Sequence, residues 1–236
     1  QFVRIYPDKE VITVKKNRDM VFSGIINSGR TEYFGNEFSF NYDEFNIETD
    51  STKFFDIFLP IIDAKEEKGK LKPAYSINSR IENVSGVLLI DAPLNKSGRD
   101  NIALFPSFQS QESSFVFYDD PSIMDGAYNR DSFYIELEPF YLNSLLSLER
   151  DVVRFKGNVV SSDIFEPFRE EISIQPDTSL GFVSVTPTEG YSIYQGAGNY
   201  RGEINLSNDG FLGEGTLTYL RASVNSEDII FMPKQL

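Results

Sequence analysis

The stretch from Asn199 to Val224, NYRGEINLSNDGFLGEGTLTYLRASV, constrains the fold more than any other. An apolar-x-Gly-x-apolar phrase, Tyr200-Arg-Gly202-Glu-Ile204, leads into Asn208-Asp209-Gly210 and then Leu212-Gly-Glu-Gly-Thr-Leu-Thr-Tyr-Leu220. Asp-Gly between alternating apolar residues predicts a β-hairpin, because glycine accepts the positive φ that a tight turn demands. Related phrases occur at Phe22-Ser-Gly24-Ile-Ile26, Val84-Ser-Gly86-Val-Leu88 and Phe155-Lys-Gly157-Asn-Val159. Their unequal spacing marks a recurring local device and argues against a strict short-period β-helix.

The rest of the chain reads the same way. Phe38, Phe40 and Tyr42 alternate with Glu37, Ser39 and Asn41, the period-2 pattern of a half-buried strand. The apolar parity then shifts to Phe45 and Ile47, which predicts a bulge or corner at Asp43-Glu44. Residues 53 to 63 are apolar on both parities, and Ser132 to Glu138 alternates cleanly. Residues 64 to 72, AKEEKGKLK, form a charge run read as an exposed hairpin loop or linker, with a possible internal boundary near 64–73. Residues 92 to 114 read as a long polar surface loop. The best helix candidate is Tyr141 to Glu149, where Leu142, Leu145, Leu146 and Glu149 lie three and four apart; Glu166 to Glu171 offers another helical turn. The fold expected is all-β, with many short, mostly antiparallel strands in a sandwich or an elongated solenoid-like scaffold, and one or two short helices.

Composition removes several chemistries. The chain has no Cys and no His, so Cys-His and Ser-His-Asp catalysis, thiolate or imidazole zinc sites and the usual switch near neutral pH are unavailable. A formal net charge of −14 disfavours nucleic acid and anionic membranes as partners. No apolar run approaches the ~20 residues of a membrane-spanning helix. With 21 Phe and 12 Tyr, the chain carries the residues that favour pleated, half-buried surfaces. It starts at Gln1 without a Met and is read as a piece of a longer polypeptide.

Candidate chemistry is sparse. Glu136 and Glu138 share one face of a predicted strand, about 6.5–7 Å apart by strand rise, a spacing that glycosidases use. The competing reading is a solvent face opposite Phe133, Ile135 and Leu137. Asp119, Asp120 and Asp125 flank a turn of the kind that offers oxygen ligands to calcium, but without EF-hand spacing; a polar turn closed by Gly126 is the simpler reading. Gly196-Ala-Gly198 and Gly213-Glu-Gly215 lack the following helix and Lys of a phosphate loop. Asn83-Val-Ser85, Asn95-Lys-Ser97 and Asn205-Leu-Ser207 match the N-glycosylation sequon, which matters only in a secretory host. No catalytic, cofactor-binding or metal-binding residue is assigned, and no cofactor.

Three phrases, IENVSGVLLIDAPLNKSGR (Ile81–Arg99), FVFYDDPSIMDGAYNRDSFYIELEPF (Phe115–Phe140) and ISIQPDTSLGFV (Ile172–Val183), resemble a region of very large uncharacterised exported or envelope proteins of Bacteroidetes-type bacteria. Asp50-Ser51-Thr52 looks like the short O-glycosylation signal of such bacteria. The resemblance implies an exported chain of successive β segments, in the periplasm, outer membrane or at the cell surface, and it transfers no site residue. The expected role is a non-enzymatic structural or interaction module whose partners are neighbouring domains of the same or another envelope protein. A glycan- or lipid-binding β module is the alternative, and a carboxylate-dependent glycoside hydrolase the remote one.

Overall fold

Nearly every alternating stretch becomes a strand, and every strand pairing among the described residues is antiparallel. The computed structural model describes residues 3–62 and 71–233. The chain forms two units: residues 1–115 with 138–153, and residues 116–137 with 154–236. No helix among the described residues is long and apolar enough to cross a membrane.

The first unit is a meander of broken ribbons. Its strands are β1 (Val3–Pro7), β2 (Thr13–Val14), β3 (Met20–Ser28), β4 (Thr31–Asn41), β5 (Asn46–Glu48), β6 (Thr52–Pro60), β7 (Ala74–Ser76), β8 (Ile81–Val84), β9 (Gly86–Leu89), β10 (Ser107–Ser110) and β11 (Ser114–Phe117), whose last two residues belong to the second unit. Past β12 (Phe133–Leu137), which is in the second unit, β13 (Tyr141–Leu142) completes the first. The start of β4 pairs with β6 through Thr31↔Ile57 and Phe34↔Phe54, while its end pairs with β5 through Ser39↔Glu48. β6 in turn pairs with β8, and β5 with β9. Each ribbon therefore changes apolar parity midway. In β4 the buried set passes from Thr31, Tyr33 and Gly35 to Phe38 and Phe40, with Glu37 at φ 53; along β8 and β9 it passes from Ile81 to Val84, Gly86 and Leu88, with Asn83 at φ 56. An extra residue in the left-handed region is how a bulge turns a strand without losing its buried face. Tyr33, Phe55 and Phe108 meet at the centre with ring centroids 5.0–5.5 Å apart.

The second unit holds β12 and β14 (Arg154–Ser161), β15 (Phe168–Ile174), β16 (Leu180–Val185), β17 (Tyr191–Ile193), β18 (Gly198–Ser207), β19 (Gly210–Tyr219) and β20 (Ala222–Ile230). β12, β14, β15 and the start of β16 pair in that order. From Phe182 onward β16 pairs instead with β18, which also pairs with β17 and β19. Gly181 marks the corner, since a Cβ there would overlap the Leu206 carbonyl. Phe165 lies in the core with the rings of Phe168, Tyr191, Tyr200, Phe211 and Phe231 at 5.0–6.2 Å.

Several expectations change in detail. The parity shift at Asp43-Glu44 is a hairpin turn that closes Asn41 against Asn46, and the bulges lie elsewhere. The polar loop begun at Ala92 ends at Pro106, because Ser107–Ser110 pairs with β9. The segment 141–149 is not an α-helix: β13 is followed by a single 3-10 turn, Leu145–Ser147, and another, Arg150–Val152, follows. Its buried residues are Leu142, Leu145 and Leu148, three apart, the period of a 3-10 turn. Ser144, at φ 51, is incompatible with a continuous helix. Residues 168–171 of the second helical reading belong to β15. The charge run falls mostly outside the described residues; its flanks pair as a hairpin, Pro60 opposite Ala74.

Three of the four glycine phrases share one physical cause, and the fourth differs. A Cβ at Gly24, Gly86 or Gly202 would overlap a carbonyl oxygen of the neighbouring strand (Tyr6, Gln109 and Glu214 respectively), and at Gly157 it would lie 2.8 Å from Ile135 Cγ2. The first three let two backbones approach more closely than a side chain permits, and Gly157 leaves room for the Ile135 side chain.

Candidate functional site

The three-stranded ribbon β18–β19–β20 ends in β20, a strand in which no residue is buried. Its first turn is a two-residue loop, Asn208–Asp209, closed by Ser207 opposite Gly210, whose φ is 114. The Asn208 N–H donates to Asp177 Oδ2 at 2.9 Å, which ties the turn down. Burial works to raise the Asp177 pKa, but the N–H and hydroxyl of Ser179 and the N–H of Asn208 hold the carboxylate below its ordinary value. The second turn, Leu220–Arg221, closes Tyr219 against Ala222, with Leu220 at φ 53.

Along the root of the ribbon Tyr200, Ile204, Leu206 and Phe211 are buried. Towards the second turn the burial ends. Ala222, Ser223, Val224 and Asn225 are exposed, as are Tyr219 and Leu220, and Val224 keeps 56% of its surface. In a two-residue hairpin the closing pair exchanges both hydrogen bonds and alternate pairs do not. Residues 215, 217 and 219 of β19 therefore bond to β20, while Ser223 and Asn225 of β20 aim their N–H and C=O groups away from β19. Among the described residues β20 pairs with β19 alone. It carries neither Lys nor Pro, the residues that most often blunt an edge.

Farther along the strand the register slips between Gly213 and Gly215. Glu203 lies directly opposite Glu214, and with Asp209, Glu227 and Asp228 they line a cavity of about 450 Å³ together with Met124. The phenol of Tyr200 donates to the Glu203 carbonyl at 2.6 Å. Its pKa is pushed up to about 12, first by burial and then by the Glu203 and Glu214 carboxylates. The described residues contain no group of three or more acidic ligands arranged to hold a metal ion.

The residues singled out in the sequence are placed as follows. Glu136 lies mid-strand in β12 opposite Asn158, with Phe133, Ile135 and Leu137 on the buried face, and Glu138 follows the strand's end. Neither lines the cavities described in either unit. Asp119 pairs with Arg130 at 2.8 Å. Asp120 accepts from the hydroxyl and N–H of Ser122, which lower its pKa, and Asp125 sits at φ 54 in the 3-10 turn Met124–Gly126. These are the bonds of a polar turn. Gly198 begins β18 and Gly213–Gly215 is the slip in β19; neither precedes a helix. Of the sequons, Asn95 is buried and donates to Asp91 and to the Asp100 carbonyl, whereas Asn83 is exposed. In Asp50-Ser51-Thr52, Ser51 is exposed and donates to the Asn36 carbonyl, and Thr52 is buried.

No family model, no curated protein and no solved structure matches this chain.

Proposed function

We propose that the chain is a non-enzymatic structural and interaction module of a large exported bacterial envelope or surface protein, and that β20 is the edge on which it receives a strand from a neighbouring domain of the same or another envelope protein. The free edge carries this reading: Ser223 and Asn225 direct unpaired backbone groups outward beside exposed Val224. Such an edge is completed by an added strand, whose main-chain hydrogen bonds supply affinity and whose side chains supply selectivity. The acidic end of β20, Glu227 and Asp228 near Glu214, favours a partner strand with Lys or Arg at that end. Export and the envelope location rest on the resemblance of residues 81–183.

The test is photo-crosslinking in cells that make the natural protein, from a benzophenone amino acid at Asn225, with the exposed Lys156 of β14 as the control position. A discrete crosslinked species from position 225 and none from 156 supports the reading. No crosslink at 225, or the same products from both positions, refutes it. Asn225→Pro, which removes an outward N–H and the bond that Asn225 Oδ1 accepts from the Thr216 hydroxyl, should abolish capture from Val224 at a stability cost of about 1 kcal/mol.

A further inference from the structure

The tip of the β3–β4 hairpin carries a side chain that tips rarely bury. Gly29 and Arg30 form the two-residue loop between Ser28 and Thr31, yet Arg30 is only 5% exposed. Its backbone is held from both sides: the Arg30 N–H donates to the Leu145 carbonyl and the Phe58 N–H donates to the Arg30 carbonyl, each at 2.8 Å. Gly29, at φ 61, lets the tip lie against Leu145, where a Cβ would overlap the backbone.

The guanidinium is left short of partners. It has five N–H donors, and the described residues supply one acceptor, the Lys72 carbonyl, at a long 3.4 Å from Nη1. Glu149 acts on it through space without an ion pair within 4 Å among the described residues. Burial pushes the Arg30 pKa down and Glu149 pushes it up, with burial the larger. Arg30 lines a cavity of about 590 Å³ whose walls include Leu59, Ile61, Leu71, Tyr75 and Leu148. A desolvated cation with spare donors beside apolar walls is the arrangement that recognises an amphiphilic anion, since a forked guanidinium matches carboxylate oxygens two at a time.

We infer that this cavity binds a small apolar carboxylic acid, with its carboxylate on Arg30 and its hydrocarbon body along Leu59, Ile61, Tyr75 and Leu148. Lys72, Glu149, Arg150 and Asp151 also line the cavity, so with Arg30 three cations face two carboxylates, a net charge of one that matches a monoanion better than a dianionic phosphate. The inference concerns the first unit and does not depend on the β20 reading.

The test uses the whole chain and dodecanoate below its micelle concentration, titrated by calorimetry beside dodecyltrimethylammonium and dodecyl phosphate. Dodecanoate should bind at least tenfold tighter than the cation and tighter than the phosphate, and the Arg30 Nε–H resonance of ¹⁵N-labelled protein should move on binding. Arg30→Met keeps the aliphatic stem and should lose the preference for the anion; Arg30→Lys should retain part of it. Absence of dodecanoate binding, equal affinity for anion and cation, a tighter phosphate, or an unmoved Nε–H resonance overturns the assignment. So does an undiminished preference in Arg30→Met. The resonance is read on the unsubstituted chain, so the test survives a variant that fails to fold.

Discussion

Phe165→Ala should be the most damaging single truncation in the second unit. Phe165 is 2% exposed and lies within 6.2 Å, centroid to centroid, of five aromatic rings drawn from β15, β17, β18, β19 and the segment after β20. Its own N–H donates to Ser161 Oγ, and the same hydroxyl donates to the Phe165 carbonyl, so the backbone cannot drift inward to refill the space. Phe→Ala truncations in cores cost about 3–5 kcal/mol, more where the site cannot collapse. Here the walls are rigid rings on paired strands, which places the cost near the top, about 4–5 kcal/mol. For a unit of about 100 residues, 1 kcal/mol moves Tm by roughly 4–8 °C, so Tm should fall by about 20 °C or more. Phe165→Leu keeps most of the volume and should cost about 1 kcal/mol. Thermal unfolding followed by near- and far-ultraviolet circular dichroism reads both variants. A Phe165→Ala protein melting within 5 °C of the parent would refute the assignment of Phe165 as the centre of this core.

Two further outcomes follow from the same packing. Tyr33 and Tyr118 have pKa values raised by burial, and Tyr200 is pushed up to about 12. Each keeps its proton in the folded chain where an unfolded tyrosine loses it near pH 10, so their stabilisation is complete below pH 10 and is lost as pH rises above it; each fully buried phenol withdraws about 1.4 kcal/mol per pH unit. Absorbance near 295 nm should therefore rise in two phases, the second coinciding with loss of circular dichroism, and all 12 tyrosines ionising together near pH 10 with the fold intact would contradict this. Gly24→Ala places a Cβ against the Tyr6 carbonyl and 2.9 Å from the Asp8 nitrogen at φ 131, at a cost of about 1–3 kcal/mol; an unchanged urea midpoint would show that the β1–β3 contact does not need glycine.

The strands were legible because period-2 alternation and Asn-Asp-Gly punctuation act locally. Phe38 and Phe40, Phe133 to Leu137 and the 199–219 hairpin all fall where the pattern puts them. The bulges were not legible, since nothing in the Glu37 side chain favours positive φ, and Asn83, a residue type that tolerates it, sits between strand-forming residues. The helix reading of 141–149 failed because leucines three apart satisfy a 3-10 turn as well as an α-helix, and only Ser144 in the left-handed region decides between them. The glycine phrases were visible as a device, but their cause, a carbonyl of the neighbouring strand or, at Gly157, the Ile135 side chain, is tertiary. Arg30 left no signal beyond Ser28-Gly29-Arg30 reading as a turn, because burial of a hairpin tip depends on Leu145, more than a hundred residues away in the chain. The free edge of β20 required the register with β19, which the sequence from Ala222 to Ser226 does not announce.

Backbone amide hydrogen exchange across 219–230 tests the central claim most directly, comparing the purified chain with the natural protein in its native assembly. In the purified chain the outward amides of Ser223 and Asn225 should exchange freely while those bonded to β19 are protected. In the assembly the account predicts that the outward amides become protected as well, because an added strand accepts their hydrogen bonds. Equal exchange of Ser223 and Asn225 in both preparations would contradict it.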